Sequence, residues 1–248
     1  LIDGNMWGNG YATTFLFAFV LTSMGLFALK AGVREPDAPV VRPKTGLAER
    51  MQDIPKLLAD DGYRWFVIAQ GMAMAGKIAA PFYVFIATRS MPLDGTTIGI
   101  LSLAFLGADT LTNLPWGYLG DRVGYRSTFI ASQAAMLAGL VLIALSTHPA
   151  MTVLAFVCFG TSNSGYQMSA QTMVLEFGSR EDLPMRIALS TMVEGGISAL
   201  APLIGGAILH WMGMQPLVIA AAVLALVAML LMLKVTDPRR RVMPILVD

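Results

Sequence analysis

Gly117-Tyr118-Leu119-Gly120-Asp121-Arg122-Val123-Gly124-Tyr125-Arg126 is a glycine-punctuated island of charge in the middle of the chain. An apolar window, about Ile98–Tyr118, runs into it, and another, about Ser127–Ser146, leads away from it. Each window is about the 20 residues that a helix needs to cross a hydrocarbon core. Gly117, Gly120 and Gly124 allow backbones to approach closely and to turn sharply. The stretch therefore reads as the charged turn of a helical hairpin, lying at one membrane surface.

Working outward, the same pattern recurs. Further windows lie at about Ala12–Leu29, Trp65–Ala87, Thr152–Leu175, Ile187–Leu209 and Pro216–Leu233. The expected fold is all-α, a polytopic transmembrane helix bundle of seven spans. Composition points the same way: 56% of the residues are apolar and 13% charged, where a soluble domain carries about a quarter charged residues. The 24 Gly and 17 Met suit close helix packing and adaptable cavities. A net charge of +1 gives no reason to expect a nucleic-acid partner. The single cysteine, Cys158, allows no internal disulfide and reads as a buried, inert thiol. The chain opens at Leu1 without a signal-peptide pattern and reads as a fragment.

One connection is long. Lys30 to Arg64 is rich in charge and proline and reads as a linker between two halves. This linker, the Gly117–Arg126 loop, the Glu176–Arg186 loop and the C-terminal tail fall on one face, with seven, two, two and four basic residues. The opposite face holds only Arg89, and Lys77 lies inside a span. The bias makes the linker and tail cytoplasmic in an integral membrane protein of the cell (inner) membrane. Arg239, Arg240 and Arg241 read as a stop-transfer cluster, with contact to anionic lipid as the alternative. Within the linker, Ala38–Lys44 reads as extended. Leu47, Met51, Ile54 and Leu58 share one helical face, so Leu47–Leu58 reads as a surface amphipathic helix that Pro55 can bend. The expected organisation is 1–33 as the last helix of a front half, 34–64 as linker, 65–236 as a six-helix half and 237–248 as tail.

The spans differ in polarity. The first, fourth and seventh are apolar over their central turns, so they are expected to face lipid over much of their surface. The second carries Gln70 and Lys77, and the third Asp109 and Asn113. The fifth carries Asn163, Tyr166, Gln167 and Gln171, and the sixth Ser190, Glu194 and Ser198. Ionisable groups at membrane depth face a bundle interior or a wet cavity. Gln70, Lys77, Asp109, Asn113, Asn163, Tyr166, Gln167, Gln171 and Glu194 are therefore the expected lining of a substrate or coupling-ion cavity. From the helical rise, Lys77 lies roughly 18 Å, Asp109 roughly 13 Å and Glu194 roughly 10 Å from the cytoplasmic ends of their spans. Lys77 is expected to pair with Asp109, leaving Glu194 as a proton or cation site. The alternative pairs Lys77 with Glu194 and leaves Asp109 to titrate.

The central loop resembles the cytoplasmic G-x-L-a-D-R-x-G-R-[KR] motif of the major facilitator superfamily, at Gly117, Leu119, Asp121, Arg122, Gly124 and Arg126. Tyr125 stands where the first of two closing basic residues is expected. The segment Arg34-Glu35-Pro36 resembles the end of that family's sixth helix. The segment Ala199-Leu200-Ala201-Pro202-Leu203-Ile204-Gly205-Gly206 resembles its eleventh. The resemblance implies the C-terminal half of a secondary transporter working by alternating access on a small-molecule substrate. The N-terminal transmembrane half would be the missing partner. Gly117, Gly120, Asp121, Arg122, Gly124 and Arg126 would form a cytoplasmic gate, with Asp121 capping a helix or holding Arg122 or Arg126.

Other classes find little support. His148 and His210 lack metal-ligand spacing, and no serine elbow or phosphate-binding loop is present. No metal, cofactor or direct use of ATP is expected. A membrane-embedded enzyme and a seven-helix receptor are the alternatives, the latter opposed by the long linker after the first span.

Overall fold

A computed structural model describes residues 10–33, 52–177 and 182–235. The chain divides into two compact units, Leu1–Thr45 and Gly46–Asp248. The first holds α1 (Gly10–Gly32), an apolar helix whose mean hydropathy reaches 1.8. The second holds α2 (Ile54–Leu58), α3 (Asp61–Gly76), a 3-10 segment (Lys77–Phe82), α4 (Tyr83–Ala87), α5 (Gly95–Leu111) and α6 (Asn113–Val123). It continues with α7 (Tyr125–Ala144), α8 (Pro149–Glu176), α9 (Leu183–Met212) and α10 (Met214–Met232). All regular structure among the described residues is helical.

Local chemistry sets the helix ends. Asp60 caps α3 by accepting from the amides of Gly62 and Tyr63 at 3.1 and 3.4 Å. Asp94 caps α5 through the Thr97 amide at 2.7 Å. That amide, and after it the Thr97 hydroxyl, holds the Asp94 carboxyl below the usual range. Pro149 and Pro184 stand in the first turns of α8 and α9, where a missing N–H is harmless.

Two membrane-length segments are interrupted. Between α3 and α4 the chain tightens into 3-10 turns at Lys77, and Pro81 lacks the amide that an α-helix would direct at the Lys77 carbonyl. Between α5 and α6 the break falls at Thr112. Pro115 cannot donate to Leu111, and the Thr112 hydroxyl bonds the Ala108 carbonyl at 2.7 Å.

Packing runs α5 on α8, α8 on α7, α7 on α10, α10 on α3 and α3 on α9. The ends of this open ring are α5 and α9, and α8 and α9 touch little, which leaves a gap between them as well. One apolar core gathers Tyr83, Leu140, Phe156, Phe159 and Leu217, with Tyr83 and Phe159 stacked at 4.0 Å. A second gathers Tyr63, Phe66, Phe129, Met173, Phe177 and Met232. Outside them, large apolar residues such as Leu114 (83% exposed) and Trp211 (80%) meet the surroundings. Apolar exposure on that scale marks a surface that is not covered by water.

Six helical segments are long and apolar enough to cross a membrane: Phe15–Gly32, Asp61–Ala87, Gly95–Val123, Tyr125–Ala144, Leu183–Met212 and Met214–Met232. The expected fifth span, Thr152–Leu175, lies in α8, which has 28 residues but is not among the six. Thr161, Ser162, Asn163, Ser164, Gln167 and Gln171 lower its mean hydropathy.

Burial differs among the spans. α7 and α10 are buried over 44% and 28% of their apolar windows, but the α5–α6 segment and α9 over only 11% each. The segment from α3 to α4 is buried over 50% of its window, so it, α7 and α10 are the more covered spans of this unit, and the α5–α6 segment and α9 are the open ones. Of the expected amphipathic helix, α2 covers Ile54–Leu58, with Leu57 buried. Leu47, Met51, Ala38–Lys44 and Arg239–Arg241 lie outside the described residues.

Candidate functional site

α8 carries the hub. Its Asn163 lies between Phe159 of one apolar core and Tyr166 of the other. The Lys77 ammonium donates to Asn163 Oδ1 at 2.9 Å, and Asn163 Nδ2 donates to Asp109 Oδ1 at 3.0 Å. Lys77 also lies 4.4 Å from the centre of the Tyr166 ring, a cation–π contact. The expected direct ion pair between Lys77 and Asp109 is not formed; the amide is interposed. Helical depth fixed the level of the two charges but not their lateral separation. Gly160 sets that separation: a Cβ there would meet the Phe105 carbonyl and lie 3.0 Å from the Asp109 amide. Only glycine lets α8 press on the α5 backbone one turn before Asn163.

On the other side of the hub, the Tyr166 hydroxyl donates to Glu194 Oε1. That bond spans the gap between α8 and α9. Tyr166 is fully buried, and Glu194 is half-buried. Gln70 joins the same layer, its carbonyl 3.5 Å from the Tyr166 hydroxyl and its Oε1 accepting from Ser190 at 2.7 Å. Lys77, Asp109 and Glu194 together carry one excess negative charge when all are ionised. The hydrogen bonds that hold them compensate a cost of about 2.5–3.5 kcal/mol for each charge left bare at membrane depth.

A cleft of about 260 Å3 opens in the gap, lined by Gln70, Gln171, Ser190, Thr191 and Glu194 with aliphatic neighbours from α8 and α9. Of the expected cavity residues, Gln70, Gln171 and Glu194 line it. Lys77, Asp109, Asn163 and Tyr166 form the network beside it. Gln167 and Gln171 are exposed and bond each other at 3.3 Å. Asn113 is exposed and accepts from Ser164 at 2.9 Å, while its own amide turns back to the Asp109 carbonyl. Ser198 is exposed.

Residue identities alone did not reveal several participants. Trp116 Nε1 donates to the Thr161 carbonyl at 2.8 Å, tying α6 to α8. The 3-10 segment places Lys77 at a helix break, for which Pro81 was the available signal. Arg186 is buried at the start of α9, 3.2 Å from Asp60 Oδ2, with its guanidinium 4.6 Å from the Tyr63 ring. The Tyr63 hydroxyl returns a 2.7 Å bond to the Arg186 carbonyl. This cluster clamps the starts of α3 and α9 together.

The charged loop is the turn between α6 and α7. Gly124 has φ 102°, a conformation that side chains disfavour. The Tyr125 ring covers Gly120, where a Cβ would lie 2.6 Å from Cδ1, and its hydroxyl donates to Asp121 Oδ1 at 3.0 Å. Arg126 does not hold Asp121: its guanidinium donates to the Met232 and Leu233 carbonyls at 3.2 and 2.8 Å. Arg122 instead lies 4.4 Å from the Tyr118 ring. Arg126 thus satisfies the unpaired carbonyls at the end of α10. Tyr125 takes up the Asp121 contact at the position where a basic residue was expected.

Comparison with curated proteins gives no match. Residues 65–245, more than half of the chain, match the family described as Major Facilitator Superfamily. With its membrane-length helices, this makes the chain an integral membrane protein and a transporter of the major facilitator type. The glycine-punctuated loop, the helical bundle and the family match lead to one assignment: the chain belongs to the major facilitator superfamily.

Proposed function

We propose that this chain is the C-terminal half of a secondary active transporter that moves a small solute by alternating access, coupled to a proton or another cation. α8 is its fifth span and brings the number of spans to seven, the linker and tail are cytoplasmic, and a second helical half completes the site. The observation that carries the reading is the Tyr166–Glu194 bond across the gap between α8 and α9. A single hydroxyl–carboxylate contact there, beside a cleft, is a closure that protonation or a ligand can break.

Two features support it. The open faces of α6, α8 and α9 suit a partner half better than lipid, because Asn113, Gln167, Gln171 and Ser198 are exposed on them. The helix break at Lys77 frees backbone groups next to the charged network, the arrangement expected of discontinuous transporter helices. The test is a screen of labelled solutes for saturable uptake by the full-length protein in proteoliposomes under an imposed proton or sodium gradient. Uptake that dissipates with the gradient meets the proposal. Uptake indifferent to both gradients removes the coupling.

A further inference from the structure

We infer that the cleft between α8 and α9 binds a small organic cation, its charged nitrogen at Glu194. Charge sorting is the main argument. Lys77, the one cation at this depth, is engaged on two sides, by Asn163 and by the Tyr166 ring. It does not line the cleft. Asp109 is linked to it through Asn163. Glu194 is left with a neutral donor, Tyr166, as its hydrogen-bond partner among the described residues. Of the three ionisable groups of the network, Glu194 is the one that lines the cleft, so the charge presented to it is negative.

The rest of the lining agrees. Gln70, Gln171, Ser190 and Thr191 supply amides and hydroxyls, and Lys, Arg and His are absent from the wall. An anion would meet the Glu194 carboxylate with no cation beside it on the wall. Ala170, Val174, Leu175 and Ile187 supply an aliphatic side suited to alkyl groups. The volume of about 260 Å3 falls below the roughly 300 Å3 at which drug-sized pockets begin. An alkylammonium or a quaternary ammonium of a few carbons is the class that fits.

The inference rests on the transport reading for its place in a cycle, but its test requires no transport. Thr191 is exposed on the cleft wall. In the full-length protein with its cysteines, including Cys158, replaced by serine, Thr191→Cys is alkylated with N-ethylmaleimide. Methylammonium, tetramethylammonium, tetraethylammonium and butyrate are the probes. At about ten times its half-protecting concentration, a bound cation slows alkylation roughly tenfold. Adding Glu194→Gln is expected to abolish protection while the rate without probe persists, which shows that the wall is still folded. Glu194→Asp should retain part of the protection. Protection by butyrate, equal protection in Glu194→Gln, or no protection by any of the three cations overturns the inference. Cation protection without solute uptake fails the transport reading alone, and uptake without protection fails this inference alone.

Discussion

Replacing Asn163 by leucine tests the hub of the network. Leucine keeps the branched heavy-atom skeleton of asparagine, although it is bulkier, and the amide is lost. Two bonds disappear, from Lys77 at 2.9 Å and to Asp109 at 3.0 Å. Hydrogen bonds to charged groups contribute about 1.5–3 kcal/mol each. Polar contacts between membrane helices average only about 0.6 kcal/mol, because separated groups find other partners. The structure decides between these scales. Gly160 holds α8 on the α5 backbone, and among the described residues Asn163 is the hydrogen-bond partner of the Asp109 carboxylate. Re-pairing is restricted, and a loss of about 3 kcal/mol is expected. The assay is reversible unfolding of the full-length protein in mixed micelles, run as a double-mutant cycle with Lys77→Met. A coupling of about 1–3 kcal/mol between the two sites is expected, and additivity within about 0.5 kcal/mol would refute the bridging role.

Three further outcomes follow from the same geometry. Lys77→Met impairs folding or transport, and adding Asp109→Asn restores more of either than adding Glu194→Gln, because Asn163 links the lysine to Asp109; rescue in the reverse order assigns the charge partner to Glu194. Asp121→Asn slows transport by the full-length protein while membrane insertion stays intact, and Tyr125→Phe does so more weakly; unchanged uptake in both would make the loop a topogenic turn only. Arg186→Gln removes the buried guanidinium that meets Asp60 and costs about 1.5–3 kcal/mol, whereas Tyr63→Phe, which loses one bond to the Arg186 carbonyl, costs about 0.5–1.5 kcal/mol; equal losses in unfolding titrations would show that the clamp is not ionic.

Helices, their polarity and the charged loop were legible because each has a local cause. A run of apolar residues sets a span, and Gly124 and Arg126 mark a turn wherever the rest of the chain lies. The links between spans were less legible. Lys77 and Asp109 share a level, but an amide separates them, and no periodicity in α3 or α5 reports how close α8 comes. Gly160 carried that information, hidden among 24 glycines. Arg126 was one of the partners expected for Asp121, yet it reaches the end of α10, far along the chain. Polarity did not rank exposure: α9, with its Ser and Glu residues, is open in this unit, whereas the polar segment from α3 to α4 is its most buried span.

The claim that the gap beside Glu194 is a transport cavity is tested most directly at Ser198, exposed one turn along α9. In sealed vesicles bearing the full-length protein, Ser198→Cys is exposed to a membrane-impermeant maleimide from one side and then from the other. Labelling from both sides is expected in the cycling protein, with the balance shifting as the driving gradient is reversed. Labelling from one side only, unchanged by the gradient, would contradict it.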